Sequence, residues 1–143
     1  MTYQRILVGI DGSDNSTRAY DTGVALAKAL NATLYLTRVV NRDRGMDVTF
    51  NVNDDFYQDL YVKAVQELVP LIEQAHDQGV QDVQAVPRLG DIRTLLASEL
   101  PNEFNIDLII LGNTGINRVK AMLIGSHTGY VVRHSKCDVL IVK

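Results

Sequence analysis

"QRILVGIDGSDNSTRAYDTGVALAKALN" runs from Gln4 to Asn31, and its apolar period changes partway along. Gln4–Asp11 is a short apolar run stopped by Asp11-Gly12, too short for a helix, and it predicts a buried strand. After Ser13 the small and apolar residues Ala19, Gly23, Leu26, Ala27 and Leu30 recur at helical spacing, so a helix follows. Ser13 or Ser16 is placed to cap its first turn. A buried strand that turns directly into an amphipathic helix is half of a β-α-β unit. The fold depends on whether the rest of the chain repeats it.

It does. "ATLYLTRVV" (Ala32–Val40) predicts a second strand. "NRDRGMDVTFNVN" is polar and aperiodic, and its thirteen residues are long for a connection, which marks it as functional, mobile or engaged in contacts. A long helix follows, with Tyr57, Leu60, Ala64, Leu68, Leu71 and Ala75 on one face and a kink expected at Pro70. "VQDVQAVPRLG" holds a weaker third strand, and "DIRTLLASEL" a helix ended by Pro101. "IDLIILG" (Ile106–Gly112) is a fully apolar fourth strand. A short helix, His127 to Ser135, and a fifth strand in "CDVLIVK" close the series. Alternating helices and near-continuous apolar strands predict an α/β fold, a doubly wound five-stranded parallel sheet with helices on both faces. Crossovers are expected to be right-handed.

With 143 residues, one domain spanning 1–143 is expected, with no repeat or linker. A net charge of −3 lacks the basic face of a nucleic-acid binder. No apolar run nears the roughly 20 residues of a membrane helix, and nothing at Met1 resembles a signal peptide. The lone Cys137 rules out an internal disulfide and, with those features, predicts a cytoplasmic protein.

In a doubly wound sheet, ligands bind beyond the carboxyl ends of the strands, where strand order reverses. Paired glycines follow strand 1 (Gly9, Gly12) and strand 4 (Gly112, Gly115), which makes those two ends the candidate walls. Leu108 through Cys137, thirty residues, contain no Asp or Glu, although 17 acids in 143 residues would place three or four there. Arg118, Lys120, Arg133 and Lys136 fall in the same stretch. An acid-free, glycine-rich loop running into a helix start suits phosphate, because glycines let backbone N–H groups close in and the helix start adds partial positive charge. Ser126 there can cap the helix or donate to a phosphate. Tight loops of α/β folds also gather glycines with no ligand at all, so composition leaves phosphate binding about as open as not.

The common phosphate motifs are missing: no Gly-Lys pair occurs for a P-loop, and no G-x-G-x-x-G follows strand 1. A phosphoacceptor receiver is set aside too, since Asp11 stands alone without a second acid and no helix follows the last strand. Gly112-x₂-Gly115-x₉-Gly125-Ser126 instead resembles the G-2x-G-9x-G-[S/T] nucleotide motif of the universal stress protein family. "DLIILG" before it, "GSHTGYVVRHSKCDVLIV" within and after it, and "ILVGIDGSDNSTRAY" near the start extend the likeness over essentially the whole chain.

The resemblance implies an ATP-binding domain, with magnesium, of strand order 3-2-1-4-5, and a homodimer. By that likeness Asp11 meets the ribose or a phosphate-bound metal, Gly9 and Ile10 line the base and sugar, and the Val39 backbone hydrogen-bonds adenine. Gly112, Gly115, Gly125 and Ser126 hold the phosphates, with Asn113, His127 and Thr128 beside them. The sequence departs from the family pattern at Asp138, commonly Pro, and at Asn113 and Thr114, commonly small or basic.

Several residues keep two readings. Asp11 is either a ligand contact or a turn cap. Arg118 and Lys120 face either phosphate or solvent. Arg42 and Arg44 form either a lid or, more simply, a solvated surface. His127, His134 and Cys137 span a helix and a strand, a poor arrangement for a metal, and Cys137 reads as an inert buried thiol. "VLIVK" is a strand with no helix after it, whose open edge suits antiparallel pairing with a second copy. Function is expected to be ATP binding as a switch or reservoir in stress response. The alternatives are an interaction module without nucleotide, or a slow ATPase or phosphotransferase. No general base stands in the acid-free loop.

Overall fold

The computed structural model describes residues 2–42, 44–113 and 125–143. The first apolar run forms β1 (Arg5–Gly9), and a turn through Gly12, whose φ of +83° suits glycine, leads into α1 (Asp14–Leu30). Ser13 is the N-cap, its hydroxyl accepting from the Ser16 N–H. Then come β2 (Thr33–Thr37), β3 (Val39–Asn41), α2 (Arg44–Phe50), α3 (Asp54–Asp77), β4 (Val83–Ala85) and β5 (Arg88–Gly90). After α4 (Ile92–Thr94), a π-helical segment (Leu95–Glu99) and α5 (Leu100–Phe104) come β6 (Leu108–Gly112), α6 (Ser126–His134) and β7 (Asp138–Val142).

Five parallel strands form the main sheet in the order β4-β2-β1-β6-β7, which is the expected 3-2-1-4-5 once β3 and β5 are set apart as a separate parallel pair. Ile6 of β1 stands opposite Leu34 of β2 and Leu108 of β6. Alternate side chains leave the sheet on opposite faces. Ile6, Val8, Leu34, Leu36, Leu108 and Ile110 pack with α1 and α3 on one face. Leu7, Tyr35, Ile109 and Leu111 pack with the π segment, α5 and α6 on the other. Both faces are covered, and this is why these strands read as continuous apolar runs.

Four expectations change. The strand expected over Ala32–Val40 breaks at Arg38, and its partner breaks at Val86-Pro87. At that break the Thr37 hydroxyl donates to the Val86 carbonyl at 2.7 Å, and pairing passes from β2–β4 to β3–β5. The aperiodic stretch after it contains a helix, α2, whose Asp47 pairs with Arg42 and whose Val48 and Phe50 are 85% and 67% exposed. Leu60, expected on the buried face of α3, is exposed, while Tyr57, Ala64, Leu68 and Ala75 are buried. Pro101 does not end its helix. A proline ring collides with the carbonyl four residues back in an α-helix. Here the chain passes through a wider π turn, with the Leu100 N–H reaching Leu95 O, and Pro101 falls in the first turn of α5.

Candidate functional site

β1, β3 and β6 end on the same side, and the elements that follow them enclose a slot. Gly9, Ile10 and Asp11 come from the end of β1, Thr37 and Val39 from the β2–β3 break, and Leu111 and Gly112 from β6. Ser16 of α1, Ile92 and Leu96 of the helical segment after β5, and His127 and Thr128 of α6 complete the lining. The slot holds about 60 Å³. Across Ile92 and His127 it adjoins an open chamber of about 740 Å³ lined also by Asn41, Arg42, Asp91 and Arg93. Its apolar walls are Ile10, Val39, Ile92, Leu96 and Leu111.

Seven of the candidate residues therefore meet in one place: Gly9, Ile10, Asp11, Val39, Gly112, His127 and Thr128. Asn113 and Gly125 meet beside it, with the Gly125 N–H donating to Asn113 Oδ1 at 3.1 Å. Gly115 and Arg118 lie outside the described residues, as do Thr114 and Lys120. The reading of Ser126 as helix cap is corrected. Gly125 is the N-cap of α6, and Ser126 is an exposed first-turn residue. Among the described residues, no side chain caps the first-turn N–H groups of α6.

Asp11 holds its turn: the Ser13 N–H donates to Asp11 Oδ1 at 2.9 Å, and the Asp11 N–H donates to Ser16 Oγ at 3.2 Å. Partial burial works to raise its carboxyl pKa. The Ser13 hydroxyl and N–H, the Ser16 hydroxyl and the charge of Arg38 outweigh that and hold it below the ordinary value. Arg38 is fixed by Glu67 at 3.0 Å and donates to the Ile10 carbonyl at 3.4 Å. Gly112 has to be glycine for another reason. A Cβ there would lie 2.5 Å from the Asn15 carbonyl carbon and 2.7 Å from the Ser16 nitrogen, both rigid backbone of α1. The Thr128 hydroxyl donates to the Gly112 carbonyl at 3.3 Å and so ties α6 to the end of β6.

Val39 has a specific orientation. Arg88 N–H donates to Arg38 O, and Arg42 N–H donates to Gly90 O. Alternation along a parallel ladder then turns the backbone groups of Arg38, Val40 and Arg42 toward β5, and those of Val39 toward the opposite edge.

Arg42 is not simply solvated. Its guanidinium pairs with Asp47 at 3.0 Å and Asp54 at 2.7 Å and lies 4.6 Å from the centre of the Tyr57 ring. The Tyr57 hydroxyl also donates to Asp47. This cluster stitches α2 to the start of α3 at the chamber's rim. Of the candidate metal group, the His134 ring packs on Tyr130 at 4.0 Å and Cys137 Sγ lies 3.4 Å from Ser135 Oγ. Cys137 is only half-buried, and burial pushes its thiol pKa up. Among the described residues, no helix is long and apolar enough to cross a membrane.

Sequence reasoning missed Thr37, Ile92, Leu96 and Leu111 as lining, and read Ser16 only as a helix cap. Ile92 and Leu96 stand four apart on one helical face directly after Gly90-Asp91, a strand end at the carboxyl edge, and that spacing was the available signal.

The model of the universal stress protein family matches residues 2–143. A putative universal stress protein of Staphylococcus aureus is 32% identical over 144 residues, covering 100% of this chain and 86% of that protein. A universal stress protein solved in complex with cAMP is 31% identical with a TM-score of 0.71, covering 100% of this chain and 98% of that one. UspA from Lactobacillus plantarum shares the fold with a TM-score of 0.83 at 24% identity, covering 100% of this chain and 99% of that one. The family match over residues 2–143 and the 32% identity to that relative show that this chain belongs to the universal stress protein family.

Proposed function

We propose that this protein binds ATP with magnesium and acts as a nucleotide-dependent switch or reservoir in stress response. One observation carries the reading: an apolar slot at the carboxyl edge that runs from the Val39 backbone edge to the start of α6. The base stacks between the apolar walls and meets the Val39 N–H and C=O, as a planar heterocycle with donors and acceptors on its rim requires. Asp11, kept ionised, faces the ribose or the metal. The N–H groups of Ser126 and His127 and the Ser126 hydroxyl are the donors for phosphate. Magnesium would neutralise phosphate charge, and Asp11 is the acid among the slot's lining residues. The cAMP complex of a relative at 31% identity supports nucleotide binding. It also supports a second reading, in which the preferred ligand is a monophosphate.

Thermal denaturation with Mg-ATP, cAMP and AMP separates them. A ligand at a hundred times its Kd stabilises the folded state by about 2.7 kcal/mol, a clear rise in midpoint. The largest rise is expected with Mg-ATP. A rise with cAMP alone moves the assignment to a monophosphate, and no rise with any of the three at millimolar concentration favours the interaction module. Hydrolysis is expected to be slow at most, since the described lining holds Asp11 as its acid and no second carboxylate to act as base.

A homodimer through β7 belongs to the same proposal. β7 is an outer strand of the sheet, and Leu140 is exposed along it. Light scattering at micromolar concentration should return twice the chain mass, and a strict monomer would count against this arrangement.

A further inference from the structure

The chain leaves the end of β6 at Asn113 and re-enters the described structure at Gly125, and one side chain joins the two points. Asn113 Oδ1 accepts from the Gly125 N–H at 3.1 Å. The Asn113 backbone is held in turn: its N–H donates to Val142 O at 2.8 Å, and its carbonyl accepts from Asn15 Nδ2. Asn15 sits in the first turn of α1, behind this neck, and is not among the residues lining the slot or the chamber. Its amide can point only one way. Oδ1 accepts from Arg18 Nη2, so Nδ2 is the end that faces Asn113. The same Arg18 nitrogen donates to the Lys143 carbonyl at 2.5 Å.

The bonds form a continuous line: Lys143, Arg18, Asn15, Asn113, Gly125. Its last member is the N-cap of α6. Where Gly125 sits sets where the N–H groups of Ser126 and His127 point. An anion bound by such groups depends steeply on their placement, because each contributes through a directed hydrogen bond. Asn15, Asn113 and Gly125 are not among the residues lining the slot where the base is proposed to bind.

We infer that Asn15 is a positioning residue for the phosphate end of the nucleotide, acting through Asn113 to hold the start of α6 at the mouth of the cleft. The inference rests on the nucleotide reading above and adds a specificity to it: the network separates phosphate-bearing ligands from the bare nucleoside. Breaking a network that only helps the chain fold would lower stability and weaken every ligand alike. Breaking a positioning network loses phosphate recognition and keeps base recognition.

The test is calorimetric titration of the full chain with Mg-ATP and with adenosine, for wild type, Asn15→Ala and Asn15→Asp. Asn15→Asp keeps the size and the acceptor for Arg18 but replaces the donor that faces the Asn113 carbonyl, so it should behave like Asn15→Ala even where the alanine variant folds poorly. For both, Kd for Mg-ATP should rise about tenfold while Kd for adenosine stays within about twofold. The Gly125 amide resonance should shift in the unliganded variants, reporting the moved N-cap without any ligand. Equal losses for ATP and adenosine overturn the positioning role, as does unchanged ATP affinity in a variant whose Gly125 amide has shifted. A wild type that binds adenosine and ATP equally well overturns the phosphate specificity but leaves nucleotide binding standing. A wild type that binds neither overturns the nucleotide reading, and the positioning role with it.

Discussion

The turn after β1 and the turn after β3 both carry the chain from a strand end at the carboxyl edge into a helix, with different bonds. The first is closed by neighbours in sequence: Ser13 N–H on Asp11, Asp11 N–H on Ser16, and the Ser13 hydroxyl on Ser16 N–H, all within six residues. Glycine at 112 lets β6 lie directly against it. The second is closed by charges brought from farther along: Arg42 with Asp47 and Asp54, and Tyr57 with Asp47. The first holds by shape and short-range capping, which salt and solvent barely touch. The second holds by ion pairs, and these count only where water is partly excluded. Asp47, 13% exposed, meets that condition, while Asp54, 86% exposed, adds little.

This difference predicts unequal sensitivities. The largest loss should come from Gly112→Ala. The added methyl meets backbone of α1 at 2.5 Å, and backbone in a helix's first turn cannot rotate away. Overpacking of this kind costs about 3 kcal/mol, visible as a lower midpoint in urea or heat. A midpoint within error of wild type would mean that α1 slides over β6 and that the turn after β1 is looser than its bonds suggest. Arg42→Ala should cost less. It removes the ion pairs to Asp47 and Asp54 but leaves the sheet intact, so its mark should be local: faster amide exchange through α2, with α1 amides unchanged. The loss should shrink in high salt, because salt already weakens the wild-type pairs. Equal exchange in α1 and α2 would erase the contrast between the two turns.

The same contrast explains what could be read from sequence. β1, its turn and α1 were legible because every bond that shapes them lies within a few residues and uses residue types with a local job: a glycine at positive φ, a serine cap, small residues at helical spacing. The parallel sheet followed from apolar runs buried on both faces, and its strand order from the family resemblance. α2 was illegible because its seven residues show no apolar period, and the described contacts that hold Asp47 come from Arg42 and Tyr57. The strand breaks at Arg38 and Pro87 were hidden for a related reason, since β3 and β5 are three residues each, too short to show a period. Of the site, the glycines and Asp11 stood out by type. Thr37, Ile92, Leu96 and Leu111 look like ordinary core and are brought to the slot only by tertiary packing.

The smallest expected effect isolates one charge in the first turn. Asp11→Asn keeps an oxygen for the Ser13 N–H and removes only the ionised form. In the folded state the Asp11 carboxyl sits below its ordinary value of 3.8, because Ser13, Ser16 and Arg38 outweigh the effect of burial. A carboxyl with a lowered folded pKa adds stability that is fully present above the ordinary value and disappears as pH falls through the lowered one. The midpoint of wild type should therefore exceed that of Asp11→Asn by a constant amount near pH 6–7, and the gap should close as pH drops below about 4. Other carboxylates titrate in the same range, so the gap between the two proteins is the readout, not either midpoint alone. The gap should be smaller than either loss above, since solvent reaches Asp11 and screens its partners. A gap independent of pH would mean that the turn uses the Asp11 side chain for its shape alone. A gap that widens toward acid would reverse the sign and place the carboxyl in a site that disfavours its charge, which would remove its fitness to meet a metal or ribose.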